Sequence, residues 1–383
     1  MKLILLPLAL AMSVLLPCSE AAAPSPLMQA LADEIKHQEI VGGIVVVGTA
    51  DGIIEVAVDG HADLASKRAM SEQDLFWIAS MTKPVTACAI LKLQEQGKLK
   101  ITDPVAKHLP EFQALKDARG NAVEITIAQC LSHTSGLSEV PRDKEAALTT
   151  LADLTQLVAT LPLNFAPGSQ WRYCQSSINT AARIVEVVSG LSFEEFLQQN
   201  FFDPLEMKDT TFYPNEEQAK RLATSYRRHN GGWSVADLGF LGGKALNDRS
   251  RYPRGNGGLF STARDYGNFA QMLLGRGQWR GKRILSEESM KQLSGVLTAD
   301  LKTGFTPGNA WGCGVCVVRE PQGVSASLSP GSFGHGGAFG TQCWIDPTRG
   351  FYFLLLVQRA DFPNSDGSGT RQRLQEAART YVR

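Results

Sequence analysis

The sequence predicts an α/β (α+β) fold, with an antiparallel sheet built from N- and C-terminal segments, flanking helices and an inserted, mostly helical lobe. Two observations indicate this class: short β-rich runs lie near both ends of the chain, and helical patterns fill the middle. The 383 residues are too many for one simple core and suit two closely joined lobes.

The sheet is predicted from apolar runs separated by turns. Residues 43–48 and 53–59 flank an Asp51-Gly52 pair that is typical of a hairpin. Three further runs lie near the other end, at residues 311–319, Gln342–Asp346 and 351–358, and residues 370–382 have helical spacing. Because strands come from both ends of the chain, we expect the two ends to form one sheet.

The middle of the chain carries helical patterns at residues 146–161, 177–189 and Ala263–Leu274. Thr262 followed by Asp265 resembles a capping box at the start of the last of these helices. We therefore predict one domain over residues 24–383, with an α/β lobe at about 27–104 and 301–383 and a helical lobe at about 105–300. A cleft between such lobes is where small-molecule sites tend to form.

The first 23 residues have the pattern of an export signal. Lys2 is followed by an apolar run over residues 3–16 and by three alanines at 21–23. The run is short for a bilayer span, so we expect a periplasmic or secreted protein with no stable membrane span after cleavage. A lipid anchor at Cys18 is the less favoured alternative, because Pro17 stands where a lipoprotein signal needs a small residue.

The charge balance and the cysteine and histidine spacings exclude several classes of function. Lys plus Arg and Asp plus Glu both total 38, so no broad positive field favours nucleic acid, and we expect a small-molecule substrate. The Cys313-x-x-Cys316 pair has no second pair and no nearby histidine, which favours packed cysteines. The six histidines lack metal-ligand spacing, and no metal or cofactor is predicted. Disulfide pairing and oligomeric state stay open.

Ser80 and Lys83 are the strongest candidates for catalysis. They are three residues apart at the start of a helical run, so their side chains share one face. A serine hydroxyl is a weak nucleophile, and a desolvated amine beside it can act as its base. The N–H groups at a helix N-terminus also suit an oxyanion.

Two further features fit the same chemistry. Tyr173 lies between a loop and a helix, and a tyrosine beside an ammonium can exist partly as phenolate and act as a general acid or base. Residues 334–340 read Gly-His-Gly-Gly-Ala-Phe-Gly, and glycines allow the backbone to approach a ligand. The N–H of Ala338 would complete an oxyanion hole with that of Ser80.

These motifs, in this order, resemble the serine β-lactamase/penicillin-binding-protein superfamily. Ser80-x-x-Lys83, Tyr173 and His335-Gly336-Gly337 are most similar to the class C β-lactamase-like branch, which includes family VIII carboxylesterases, D-aminopeptidases and DD-carboxypeptidases. Supporting stretches lie at residues 131–137, 203–207 and 257–265. The resemblance covers about residues 27–382 and implies a β-lactamase/transpeptidase-like fold.

The resemblance implies a serine hydrolase that forms an acyl-enzyme on Ser80, with Lys83 and Tyr173 moving protons. It also implies substrate binding by Gln175, His335, Gly336 and Gly337. Gln175 replaces the usual Asn and His335 replaces the usual Lys, which argues against an efficient penicillinase.

The leading hypothesis is therefore an esterase or small-amide hydrolase. A class C-type β-lactamase or D-amino-acid peptidase/DD-carboxypeptidase is the first alternative, and a catalytically silent binding protein on the same fold is the second.

Overall fold

The computed structural model describes residues 23–117, 119–145 and 147–382. The export signal and the Cys18 anchor considered above fall on residues 1–22, outside the described residues, and both stay predictions. The division into two lobes also stays a prediction.

Within these residues the strands are short, apart from two long ones near the amino end. They are β1 Gly42–Gly48, β2 Ile53–Asp63, β3 Arg68–Ala69, β4 Phe76–Trp77, β5 Tyr226–His229, β6 Gly232–Val235, β7 Phe260–Ser261, β8 Gln278–Trp279, β9 Lys282–Arg283, β10 Asn309–Trp311, β11 Cys316–Val318, β12 Phe333–Gly336, β13 Gln342–Asp346 and β14 Phe351–Leu356.

The main sheet has eight strands in the order β10-β11-β12-β13-β14-β1-β2-β3. Its neighbouring strands run antiparallel, and β1 from the amino end pairs directly with β14 from the carboxyl end, with Ile44 opposite Leu356 and Val47 opposite Phe353. The expected α/β class with one sheet built from both ends of the chain is confirmed. The other strands form three two-stranded sheets: β4 with β7, β5 with β6 and β8 with β9.

The helices lie before, between and after these strands. They are α1 Pro26–Lys36, α2 Thr82–Glu95, α3 Ile127–Leu131, α4 Arg142–Glu145, α5 Leu151–Thr160, α6 Gln175–Ser189, α7 Phe193–Leu197, α8 Glu216–Lys220, α9 Ala263–Leu274, α10 Glu287–Ser294 and α11 Gly369–Arg379. Single 3-10 turns occur at Ala79–Met81, Val105–Lys107, Pro110–Ala114, Gly239–Leu241 and Gly323–Ser325, and a π turn at Gln198–Phe202.

Both faces of the main sheet are covered, which explains why β1 is apolar throughout. Val45 and Val47 point to a cluster shared with α1 and α11, whereas Ile44 and Val46 point to a larger cluster shared with α2, α6 and α9. Side chains alternate between faces along a strand, so a strand buried on both sides has no polar positions. The face with Ile44 and Val46 positions the site, because α2 packs there, between the sheet and helices α6 and α10.

Some element boundaries differ from those predicted. Residues 311–319, expected as one strand, form the hairpin β10–β11, because the chain turns through Gly314 with φ of +63°. The helix predicted from residue 146 begins at Leu151, where the Thr150 side chain caps it. At α9 the cap is one-sided: Thr262 Oγ1 accepts from Asp265 N at 3.3 Å, but the Asp265 carboxylate binds Asp209 N and Thr210 instead.

In the part of the chain that the structure describes, none of the helices combines the length and apolarity needed to cross a membrane. The six cysteines there, Cys88, Cys130, Cys174, Cys313, Cys316 and Cys343, are all buried free thiols. Burial raises the pKa of the Cys313 thiol to about 12, so it packs as a neutral, apolar group.

Candidate active site

Ser80 lies in a tight turn that leads into a buried helix. The 3-10 turn Ala79–Met81 runs directly into α2, and Ser80 is half-buried. Ala79, just before it, has φ of +46°, in the left-handed region that is unfavourable for a residue with a Cβ. Backbone N–H groups in a first helical turn have no partner inside the helix, so the N–H of Ser80 can be offered to a ligand oxygen.

Lys83 Nζ contacts three oxygen atoms. It lies 3.0 Å from Ser80 Oγ, 2.9 Å from Gln175 Oε1 and 2.6 Å from the carbonyl oxygen of Asn256. The last two oxygens can only accept, so they each take one N–H of the amine. The remaining position faces Ser80, with an N–H when Lys83 is an ammonium and with the lone pair when it is a neutral amine.

The surroundings of Lys83 favour the neutral amine. Its side chain is 0% exposed. Burial lowers the pKa of Lys83 to about 7, although Glu139, Cys174 and Asp366 raise it. Near neutral pH a substantial fraction of the molecules therefore has an amine lone pair directed at the Ser80 hydroxyl, which is the arrangement of a nucleophile and its base.

Gln175 is the first residue of α6, and its side chain contacts the same amine. Oε1 accepts from Lys83 Nζ and also from Asn256 Nδ2 at 2.8 Å. Among the described residues, Gln175 Nε2 has no hydrogen-bond acceptor, so its two N–H groups remain for a substrate. Gln175 therefore orients Lys83, a role that the sequence did not predict. Its free N–H groups remain available for the substrate binding that the sequence did predict.

Tyr173 lies just before α6, with its ring among aromatic side chains. The ring centroids of His133 and Phe305 lie 4.5 and 4.9 Å from it, and Lys83 Nζ lies 4.6 Å from its centroid. Burial raises the pKa of Tyr173 well above its ordinary value, although the neighbouring Ser80 hydroxyl acts in the opposite direction. The resting side chain is therefore a protonated phenol, not the partial phenolate expected from the sequence. A phenol suits a proton donor.

His335 on β12 supports Tyr173 and does not face an open site. It is 3% exposed, and its Nδ1 lies 2.7 Å from the Gly336 carbonyl oxygen. Nδ1 must therefore carry the proton, and Nε2 accepts from the Tyr173 hydroxyl at 3.4 Å. Burial and the charge of Lys83 lower the pKa of His335 to about 3. A buried neutral imidazole lacks the charge that would attract a substrate carboxylate, and the expected role of His335 in substrate binding stays a prediction.

The two glycines after His335 allow the turn beyond β12 to approach the Ser80 segment. A Cβ on Gly336 would clash with Asp366 Oδ1, and a Cβ on Gly337 would lie 2.7 Å from the Ile78 carbonyl oxygen. Ala338 follows in this turn and is exposed, and its N–H donates no hydrogen bond within the described residues. Its pairing with the N–H of Ser80 as an oxyanion hole stays a prediction.

One family model covers nearly the whole chain. The family model described as Beta-lactamase matches residues 28–378. The chain belongs to the beta-lactamase family. The resemblance to the serine β-lactamase/penicillin-binding-protein superfamily is thereby confirmed, and with it the β-lactamase/transpeptidase-like fold.

Several relatives align with this beta-lactamase family member over most of its length. Protein Rv1367c of Mycobacterium tuberculosis is 30% identical over 377 residues, which cover 89% of this chain and 93% of that protein. Esterase EstB of Burkholderia gladioli is 26% identical over 372 residues, covering 89% and 92%. The solved structure of EstCE1, described as a hydrolase with promiscuous acyltransferase activity, has a TM-score of 0.79 at 25% identity and covers 93% of this chain and 97% of its own. Esterase EstB and the hydrolase EstCE1 support a hydrolase for this chain and suggest a small-molecule substrate.

Three residues of this beta-lactamase family site were missed from the sequence. The Asn256 carbonyl holds Lys83, the Glu139 carboxylate binds the start of α6, and the His133 ring supports Tyr173. A main-chain acceptor has no side-chain signature. The glycines on either side of Asn256 were the only sequence signal that the backbone packs closely there. A Cβ on Gly255 would lie 2.6 Å from Ala182 Cβ. No His, Cys, Asp and Glu cluster suited to a metal ion occurs among the described residues.

Proposed function

We propose that this protein is a serine hydrolase that acts on esters or small amides through an acyl-enzyme. One observation carries the proposal: the Lys83 amine, with its pKa lowered to about 7, lies 3.0 Å from Ser80 Oγ. A serine needs an adjacent base to act as a nucleophile, and a buried amine of lowered pKa supplies one near neutral pH.

In the acylation step, neutral Lys83 takes the proton of Ser80 Oγ while this oxygen attacks the substrate carbonyl carbon. The oxyanion that forms accepts hydrogen bonds from the N–H groups of Ser80 and Ala338. Collapse of the tetrahedral intermediate breaks the bond to the leaving group, which takes the phenol proton of Tyr173. The Lys83 ammonium then returns a proton to the phenolate, so both side chains regain their resting protonation states.

In the deacylation step, water replaces the alcohol or amine that has left. Lys83 takes the phenol proton of Tyr173, and the phenolate takes a proton from the water while the water oxygen attacks the acyl carbonyl carbon. The intermediate releases the acid and leaves its electron pair on Ser80 Oγ, which regains a proton from Lys83. The same side chains act as acid in one half-reaction and base in the other, as reversibility requires.

The side chains around Ser80 favour uncharged esters over β-lactams and D-alanyl peptides, which carry a carboxylate. The residue in the usual lysine position, His335, is neutral and buried. Ala79 belongs to an apolar cluster in which Trp77 stacks on Phe240 at 4.7 Å and meets Phe339 edge-on at 4.9 Å. Apolar groups of a substrate gain from contact with such rings, whereas a carboxylate would lose hydration there.

A substrate panel on the purified protein tests this ranking. We expect kcat/KM for p-nitrophenyl acetate to exceed that for nitrocefin by about tenfold or more, because the site lacks a charged partner at His335. Each activity is measured in parallel on Ser80→Ala to subtract contaminants. Faster turnover of nitrocefin would favour a β-lactamase, and faster release of D-alanine from a D-alanyl-D-alanine peptide would favour a peptidase. A protein that turns over none of the three would support the silent-binding alternative.

The pH dependence of ester hydrolysis tests the identity of the base. Only the neutral amine can accept the Ser80 proton, so we expect kcat/KM to rise with pH through a limb near 7 and then level off. The pKa of His335, lowered to about 3, places its titration well below this limb. An activity that is flat between pH 5 and 9 (roughly two units either side of the expected limb) would exclude Lys83 as the base.

A further inference from the structure

The segment 133–139 lies along the start of α6 and contacts it at alternate residues. His133 Nδ1 accepts from Cys174 N at 3.1 Å, and Ser135 Oγ lies 2.7 Å from Ser177 Oγ. The Leu137 carbonyl oxygen accepts from Cys174 Sγ at 3.3 Å. The segment therefore fixes the short stretch of chain from which Tyr173 and Gln175 reach the site.

Glu139 ends this segment and binds the helix itself. Its Oε1 accepts from Gln175 N at 2.7 Å, and its Oε2 accepts from Ser176 N at 3.0 Å and from Ser176 Oγ at 3.1 Å. Cys174, the N-cap residue of α6, makes no capping bond with its own side chain. Glu139 thus satisfies N–H groups that the helix leaves open, and a carboxylate is favourable at the positive end of a helix.

The hydrogen bonds of Glu139 affect the position of Lys83 through Gln175. Gln175, held at its backbone by Glu139, holds the Lys83 amine with its side-chain oxygen at 2.9 Å. A shift of the first turn of α6 would move this oxygen and change where the amine lone pair points. Such small displacements of a base relative to its nucleophile are costly to catalysis.

Glu139 also brings a negative charge to the neighbourhood of the amine. Glu139 and Asp366 are the carboxylates that raise the pKa of Lys83, and Cys174 acts in the same direction. The other titratable groups around it are His133 and His335, whose pKa values burial and the charge of Lys83 lower, and the Tyr173 phenol. Glu139 itself is solvent-exposed, so it can be replaced without opening a cavity.

We propose that Glu139 is a positioning residue of this site: its carboxylate fixes the first turn of α6, and thereby Gln175 against Lys83, and places a negative charge that favours the ammonium form of Lys83. The proposal rests on the proposed function, because its readout is hydrolysis that depends on Ser80. No such role follows from the motifs in the sequence, since Glu139 lies outside all of them.

The test compares Glu139→Gln, Glu139→Ala and Glu139→Asp in the full chain. Glu139→Gln removes the charge, so the amine loses its proton more easily and we expect the rising limb of kcat/KM to move to lower pH by roughly half a unit. Its plateau kcat/KM should fall about threefold to tenfold, and that of Glu139→Ala by about tenfold or more, because the cap is weakened or lost. Glu139→Asp keeps the charge and should keep the limb in place.

Asp143→Asn is the matched control, because it removes an exposed carboxylate close in sequence that is not among the groups affecting Lys83. We expect its limb and plateau to equal those of the unaltered protein. A Glu139→Gln limb that stays in place, or a plateau within about twofold of the unaltered protein, overturns the proposal. Failure of the proposed function would show separately, as absence of Ser80-dependent hydrolysis in the unaltered protein.

Discussion

Ser80→Ala is expected to lower kcat for p-nitrophenyl acetate by about 10⁴-fold or more. The substitution removes the only atom of the side chain that can form the acyl-enzyme, while Lys83, Tyr173 and the backbone N–H groups stay in place. Removing a nucleophile removes the covalent route, and only weak binding and polarisation of the carbonyl remain. Ser80 is half-buried and its hydroxyl contacts Lys83, so we expect little change in the thermal unfolding midpoint.

Labelling with a fluorophosphonate probe provides the second readout for this variant. The probe forms a covalent bond with an activated serine, so it should label the unaltered protein and leave Ser80→Ala unlabelled. Ser71→Ala is a suitable control, because Ser71 is exposed and lies in a turn bonded to Asp74. Hydrolysis near the unaltered rate in Ser80→Ala would remove the assignment of the nucleophile.

Lys83→Met is expected to lower kcat/KM by about 10³-fold or more. Methionine has nearly the volume of lysine, so it fills the fully buried position but cannot accept the Ser80 proton. Lys83→Ala should lose as much activity but also leaves a cavity, which makes its loss harder to interpret. Lys98→Met, a change at an exposed lysine just beyond α2, is the control, and we expect full activity from it. Activity of Lys83→Met near that of the control would mean that another group is the base.

The same variant has an expected signature in stability. The pKa of Lys83 falls from 10.5 to about 7 on folding, so between these values the unfolded chain binds more protons than the native state. The stability of the unaltered protein therefore rises with pH across this window, and the cost of burying the amine is fully present below about 7. Lys83→Met lacks that cost, so its unfolding midpoint relative to the unaltered protein should be highest near pH 7 and should decrease toward pH 10. A difference that does not change with pH would mean that the amine keeps its ordinary pKa.

Strong local patterns predicted most of the fold. The apolar run of β1, the strand β13 and the helix α9 all lie where the hydrophobic period indicated, because this signal is read within a few residues. The predictions that differ depend on distant contacts. The 311–319 run was read as one strand because its residues are apolar, yet the chain turns at Gly314. This turn packs so closely on α2 that it requires a glycine, since a Cβ there would lie 2.9 Å from the Lys83 carbonyl oxygen.

In the candidate site, too, some features follow from local spacing and others depend on distant contacts. Ser80 and Lys83 share a helix turn, so their proximity follows from spacing alone. The neutral state of His335 does not, because it results from burial against Tyr173, Trp311 and Lys83, which come from distant parts of the chain. The protonated state of Tyr173 and the second role of Gln175 also depend on neighbours that the sequence does not place.

The sequence by itself determined which chemical groups are present: a hydroxyl and an amine one helical turn apart, a phenol before a later helix and a glycine-rich turn beside a late strand. Only the tertiary structure decided the protonation states of those groups, since the pKa of Lys83, Tyr173 or His335 depends on removal from water and on charges supplied by Glu139 and other distant residues. Residue types and short spacings are local properties of a chain, whereas desolvation and electrostatic fields arise from everything packed around a group.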